Sequence, residues 1–238
     1  MTGDWQTIRA PRLAIVRRTP LRATFIERPH RFAARCVLRG GRDVDAHVPN
    51  PGRLTGVLAP GCQLLLDGPY PETRALAYTM VAAKADGVWV GTNTIYANKV
   101  FPAIVAHGLF PELDGTSIQS EVVHGHSRFD FQAGARMVEV KSVTLSHDAV
   151  GAFPDAVSAR AARHCEELAA LEASCRPTAI CFVAQRRDVE SVRPEDEIDP
   201  AFGIALRGAA KAGVLVMACA LDITPAGATR ARRIPVTL

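Results

Sequence analysis

No Cys-x-x-Cys pair occurs in this 238-residue chain; its six cysteines (Cys36, Cys62, Cys165, Cys175, Cys181, Cys219) are scattered. That scatter argues against a zinc ribbon or a disulfide frame and reads as reduced, mostly buried thiols. His124 and His126 could share a strand face, but no cysteine or third histidine accompanies them, so no transition-metal site is expected there. No stretch approaches the roughly 20 apolar residues of a membrane span. The first residues lack the continuous apolar core of a secretory leader. The expectation is a cytoplasmic protein with no membrane partner. A nucleophile elbow is missing, which removes support for a serine-histidine-aspartate triad. No helix-turn-helix is evident, so sequence-specific operator reading has no visible apparatus. What remains is an ordinary globular balance, 48% hydrophobic and 22% charged. The length suffices for one large domain or two small ones, each with a core.

The informative stretch is Ser127-Arg128-Phe129-Asp130-Phe131, a short gap, then Met137-Val138-Glu139-Val140-Lys141-Ser142. Strand side chains alternate, so Glu139 and Lys141 share one face while Val138 and Val140 point into a core. Residues Gln132 to Arg136 have the length and the glycine of a hairpin connection. Folding back there brings Asp130 beside Glu139 and Lys141. Two carboxylates and an ammonium can hold Mg²⁺ through oxygen ligands and activate a water against a phosphodiester. Asp, Glu and Lys near a hairpin are more often a solvated face with a surface ion pair. The apolar runs on either side set this case apart, because a buried strand carries charge only for a reason.

Several separate strings then resemble one family. They are Glu139-Val140-Lys141-Ser142-Val143-Thr144-Leu145, Phe153-Pro154-Asp155-Ala156-Val157 and the final Pro235-Val236-Thr237-Leu238. Pro49-Asn50-Pro51-Gly52-Arg53-Leu54 and Asn93-Thr94-Ile95-Tyr96-Ala97-Asn98 add to them. Together they resemble the sugar fermentation stimulation protein A family, in family order from about residue 20 to the last. The resemblance implies an α/β (α+β) chain: an OB-like barrel followed by a restriction-endonuclease-like PD-(D/E)xK domain with a mixed central sheet. It implies DNA binding, with Mg²⁺ or Mn²⁺ as cofactor. Asp130, Glu139 and Lys141 then correspond to the acids and lysine of the nuclease motif. Glu121, in Ser120-Glu121-Val122-Val123, matches a further family acid able to complete a metal site with Asp130 and Glu139. The family usually has threonine where this chain has Pro51, so one hydroxyl is missing from that loop.

Organisation follows the same division. Residues 1–19 read as a basic extension, 20–91 as the OB-like domain and 92–238 as the nuclease-like domain. Short segments at Arg22–Glu27, Phe32–Arg39, Asp43–Val48, Cys62–Asp67, Ala77–Ala83 and Val88–Gly91 read as strands, with one helical turn after the third. Asn93 to about Gly108 reads as a helix; Ser117–His124, Ser127–Gln132 and Met137–Val143 read as strands. A helix is expected from Asp155, as its N-cap, through Ser174, with Val157, Ala161, Cys165, Leu168 and Leu171 or Glu172 as its stripe, one register slip included. Thr178–Ala184 reads as a buried strand, Pro200–Ala212 as a helix and Val214–Leu221 as a strand.

Net charge is +4, but residues 1–42 carry ten arginines against Asp4 and Glu27, a local +8. Such a section either tracks a phosphate backbone by counterion release or solubilises a surface. Arg17, Arg18 and Arg22 there, and Arg53 beyond it, are the candidate contacts. Arg128, two residues before Asp130, either meets a phosphate or neutralises the acids. Arg160 and His164, four apart on the expected helix, face either the site or solvent; the family resemblance favours the site. Three readings stay open: a Mg²⁺-dependent nuclease, for which a homodimer is one assembly, a non-catalytic DNA-binding regulator linked to sugar metabolism, and a metal-dependent nucleotide or phosphate-ester hydrolase. The intact acid-lysine set favours the first, because clustered acids repel DNA unless a cation offsets them.

Overall fold

The computed structural model describes residues 4–8, 19–71, 73–125 and 127–238. In chain order the strands of the first half are β1 (Gln6–Thr7), β2 (Leu21–His30), β3 (Ala33–Leu38), β4 (Asp43–His47), β5 (Gln63–Asp67), β6 (Tyr78–Ala85) and β7 (Val88–Gly91). Helix α1 (Ile95–Ala106) follows, then β8 (Ile118–His124), β9 (Ser127–Ala133), β10 (Arg136–Val143), β11 (Leu145–His147) and β12 (Val150–Phe153). The chain continues through α2 (Ala159–Ala173), β13 (Thr178–Ala184), β14 (Ser191–Pro194), α3 (Pro200–Lys211), β15 (Leu215–Thr224) and β16 (Gly227–Ile234).

Strands β2 to β6 close on themselves. The order β4-β3-β2-β5-β6 returns to β4 through a parallel β4/β6 pairing, which gives a five-stranded OB-like barrel. Its interior follows the period of two: Ala23 and Phe25, Ala34 and Cys36, Leu64 and Leu66 all enter one cluster. Leu65 and Val81, on the outer side of the same wall, join a different cluster with α1, Val138 and Val140. The unbroken Leu64-Leu65-Leu66 run is thus a wall buried on both faces, by the barrel core within and the second unit outside.

The sheet does not stop at the barrel. From β6 it passes through β7 to β15, β13, β10, β9 and the edge strand β8. Strands β10, β13 and β15 are mutually parallel, and β9 and β8 are antiparallel neighbours, so the central sheet is mixed. Helix α1 covers one face; α2 and α3 cover the other with Phe129, Phe182 and Phe202 between them. All seven residues of β13 are buried, as a central strand sandwiched between helices must be. Strand β1 adds antiparallel to β16, Gln6 opposite Ala231, and Trp5 lies near the guanidiniums of Arg230 and Arg232.

The loop after β4 forms the expected single turn, Leu54–Leu58, and goes no further because Gly56 takes a φ of +74°. One expectation needs correction: Asp155 does not cap α2. Ser158 does, its Oγ accepting from Ala161 N at 3.2 Å, while exposed Val157 precedes the helix and contributes nothing to its stripe. Asp155 instead reaches the barrel: its Oδ2 accepts from Leu54 N at 3.1 Å. Gly52 lies so close beneath that a Cβ there would stand 2.1 Å from Asp155 Oδ1.

The two units are also pinned by Arg186, which is 2% exposed and fully ringed. Its guanidinium donates to Asp188 (2.7 Å), to Asp86 in the β6/β7 turn (2.9 Å) and to Thr144 O (3.1 Å). No helix among the described residues is long and apolar enough to cross a membrane.

Candidate active site

The site arises where two strands part. The β9/β10 ladder pairs Arg136 with Ala133, Met137 with Gln132 and Val138 with Phe131, then ends. Beyond it the Asp130 side chain replaces the missing backbone partner, and Val140 N donates to Asp130 Oδ2 at 2.8 Å. Asn98 of α1 secures the other oxygen, its Nδ2 donating to Asp130 Oδ1 at 2.6 Å. Alternation along β10 sends Val138 and Val140 towards α1 and Met137 and Val143 towards α2 and α3. Glu139 and Lys141 therefore emerge on the α2 side.

There Glu139 meets two donors. Lys141 Nζ lies 2.6 Å from Glu139 Oε1, and His164 Nδ1 lies 2.5 Å from the same oxygen. Arg160 Nε donates to His164 Nε2 at 3.4 Å, so the ring proton engaged with Glu139 sits on Nδ1. The second carboxylate oxygen, Glu139 Oε2, is buried and has no hydrogen-bond partner among the described residues. Burial raises the Asp130 pKa, and the neighbouring Glu139 charge raises it further, against the opposing pull of Val140 N–H, Lys141 and Asn98. Burial also pushes Glu139 upward, but the His164 hydrogen bond and the Lys141 charge outweigh it and leave its pKa below the usual value. Burial and the Glu139 charge both disfavour the ionised Asp130, so added positive charge beside it would be favoured.

Among the described residues no group of three or more His, Cys, Asp or Glu side chains is arranged to hold a metal ion. The fit for a divalent cation rests instead on the Asp130–Glu139 pair and the orphaned Oε2. Mg²⁺ keeps several waters and needs only one or two carboxylates from the protein. The donor set fits.

The other expected residues are placed as follows. Glu121 lies opposite Asp130 across the β8/β9 ladder, between the Ser120–Phe131 and Val122–Phe129 pairs, at a φ of +55°. Its side chain is turned to solvent and stands 3.8 Å from Arg128, also exposed. His164, expected at a nucleic-acid surface, is buried against Glu139, whereas Arg160 beside it is exposed. Arg53 is exposed on the barrel loop. Arg22 lies near Trp89, its guanidinium carbon 5.9 Å from the ring centroid, and with Arg39 and Gln63 lines an open groove of about 440 Å³. Arg17 and Arg18 fall outside the described residues.

Part of the basic section is already spent. Arg28 donates to the carbonyls of Asn50, Gly52 and Arg53, and Arg35 pairs with Glu27 and Asp45. Sequence reasoning quoted Asn98 within a motif but gave it no role; its contact depends on how α1 crosses β9, which no local spacing encodes.

Comparison with known proteins covers both units. Residues 26–92 match the SfsA N-terminal OB domain family, and residues 95–227 match the sugar fermentation stimulation protein RE domain family. A sugar fermentation stimulation protein homolog of Symbiobacterium thermophilum is 40% identical over 238 residues, covering 92% of this chain and 95% of its own. Its counterpart in Pseudomonas aeruginosa PAO1 is 40% identical over 223 residues, covering 90% and 95%. A solved structure, described as Pyrococcus furiosus SfsA in complex with Ca²⁺, superposes with a TM-score of 0.85 at 26% identity, covering 96% of this chain and all of that one.

Proposed function

This chain belongs to the sugar fermentation stimulation protein family, and from that premise we propose that it is a DNA-binding, divalent-metal-dependent phosphodiesterase of the nuclease type. The observation that carries the proposal is the meeting of Asp130, Glu139 and Lys141 at the parting of β9 and β10, with Glu139 Oε2 buried and unpartnered. Asp130 and Glu139 hold Mg²⁺ or Mn²⁺. The description of the Pyrococcus relative as a Ca²⁺ complex supports a hard-cation site in the family. Bound there, such an ion lowers the pKa of a water and offsets charge on a phosphate.

The chain's own groups do the rest. Lys141 presents an ammonium beside the acids, placed to stabilise negative charge growing on a phosphate oxygen. His164 and Asn98 fix the orientations of Glu139 and Asp130, the supporting role that ligand-orienting neighbours play at metal sites. Arg22 and Arg39 on the barrel and Arg160 beside the site supply positive charge for the DNA backbone. Glu121, turned away to solvent, is not required in this ligand set.

The test is cleavage of end-labelled single-stranded, duplex and branched DNA with Mg²⁺, Mn²⁺ or EDTA, with Lys141→Ala alongside. Metal-dependent products that fall at least a hundredfold in the variant support the reading. DNA that is bound at every protein concentration and never cut overturns it.

A further inference from the structure

At the seam between the barrel and the second unit lies a cleft of about 310 Å³. Arg31 and Asn50 line it from the barrel, and Ser142, Thr144 and Asp155 line it from the second unit. None of Asp130, Glu139 and Lys141 is among its lining residues, so it is a site apart from the acids. Ser142 and Thr144 face it while Lys141 and Val143 do not, as alternation along an extended chain demands. The walls hold donors that the fold leaves unused. Asn50 is 4% exposed; its Oδ1 accepts from Gly52 N at 2.8 Å, and its Nδ2 has no hydrogen-bond partner among the described residues. Thr144 is also 4% exposed, and of its polar groups only the carbonyl is engaged by a side chain, that of Arg186, while its hydroxyl has no partner among the described residues. Ser142 Oγ accepts from Gln185 Nε2 at 2.7 Å, which leaves its own proton to give. Arg31 is exposed and has no carboxylate partner among the described residues.

We propose that this cleft is a phosphate-binding site, taking the oxyanion of a DNA backbone or of a small phosphate ester. Buried amide and hydroxyl groups are nearly always satisfied in a folded protein, so two that are not, in one cleft, call for a ligand that accepts. With Ser142 and Arg31 they make four donors, and a phosphate carries several acceptor oxygens and the charge that suits a guanidinium. Asp155 is the one acid in the lining, and it is already turned on the barrel loop. Its Oδ2 accepts from Leu54 N at 3.1 Å, its Oδ1 abuts Gly52, and the Arg28 guanidinium lies within reach of its charge. A metal cation would meet an arginine and an amide nitrogen that only donates. An apolar ligand would leave the amide and the hydroxyl unpaired.

The test is the melting temperature of the full chain in EDTA, followed as inorganic phosphate replaces chloride at constant ionic strength. Phosphate raises it, and the rise as a function of phosphate concentration gives the affinity. Thr144→Val keeps the side-chain volume, removes the hydroxyl and weakens that affinity about tenfold; Arg31→Ala, at an exposed position, weakens it at least as much. Arg187→Ala, at an exposed arginine outside the cleft lining, leaves it unchanged. Each variant is read against its own melting temperature in chloride, so a change in stability alone does not register. No rise over chloride, an unchanged affinity in Thr144→Val, or an equal loss in Arg187→Ala overturns the proposal. Fluorescence anisotropy of a short labelled DNA strand then tells the two sources apart. Thr144→Val weakens DNA binding by the same factor if the backbone supplies the phosphate, and leaves it unmoved if a small ester does. Cleavage enters neither measurement, so the nuclease reading stands or falls separately, on the metal-dependent products.

Discussion

Glu139 divides its two oxygens unequally: Oε1 accepts from Lys141 and His164, and Oε2 accepts from none of the described residues. A buried polar atom without a partner costs about 1–3 kcal/mol, which a bound cation would recover. Saturating Ca²⁺ or Mg²⁺ is therefore expected to raise the melting temperature by about 3 °C or more, a rise that Glu139→Gln abolishes. Differential scanning fluorimetry checks it, and an equal rise in the variant would place the ion elsewhere. Asn98→Ala frees one Asp130 oxygen and is expected to weaken metal affinity about 10- to 100-fold, measured by calorimetric titration. The grouping of Asp130, Glu139 and Lys141 was legible because it follows from two local rules, alternation along a strand and reversal at a glycine turn. His164 was legible as the residue one helical turn after Arg160, although its burial was not. Asn98 was illegible, since its partner lies 32 residues away on another element.

At the level of elements, the misreading of Asp155 separates two carboxylate habits that look alike in sequence. An aspartate just before an apolar helix reads as a cap, yet the helix starts four residues later and Ser158 takes that position. The signal that distinguishes them is distant: the amide of Leu54, 101 residues away, with Gly52 beneath it. Hydrogen exchange tells the two roles apart. Ser158→Ala should cost about 1 kcal/mol and speed exchange at Ala161. Asp155→Ala should leave Ala161 protected and release Leu54. Acceleration of both amides by either change would mean that the cap and the loop open together. Strand β16 was missed for another reason: Arg230, Arg232 and Arg233 interrupt its apolar pattern. Two of these have partners on other elements, Arg232 at Val189 O and Arg233 at Glu112.

Taken whole, the molecule has two lobes and one sheet. The outer face of Leu65 and Val81 belongs to the second unit's core, and Arg186 is buried against both units. The lobes are expected to unfold together. In Trp5→Phe protein, Trp89 fluorescence reports the barrel edge, and the helical far-ultraviolet signal reports the second unit, which holds all three described α-helices. Coincident midpoints support one cooperative unit, and separated midpoints refute it. Asp188→Ala strands part of the buried guanidinium's charge and should cost about 3 kcal/mol, moving both midpoints down together. The pairing of β1 with β16 carries this unity into biosynthesis. Gln6 leaves the ribosome well over two hundred residues before Ala231, yet each is the other's neighbour in the sheet. However early the barrel takes shape on a nascent chain, the seam between β1 and β16 closes only after both units have been made.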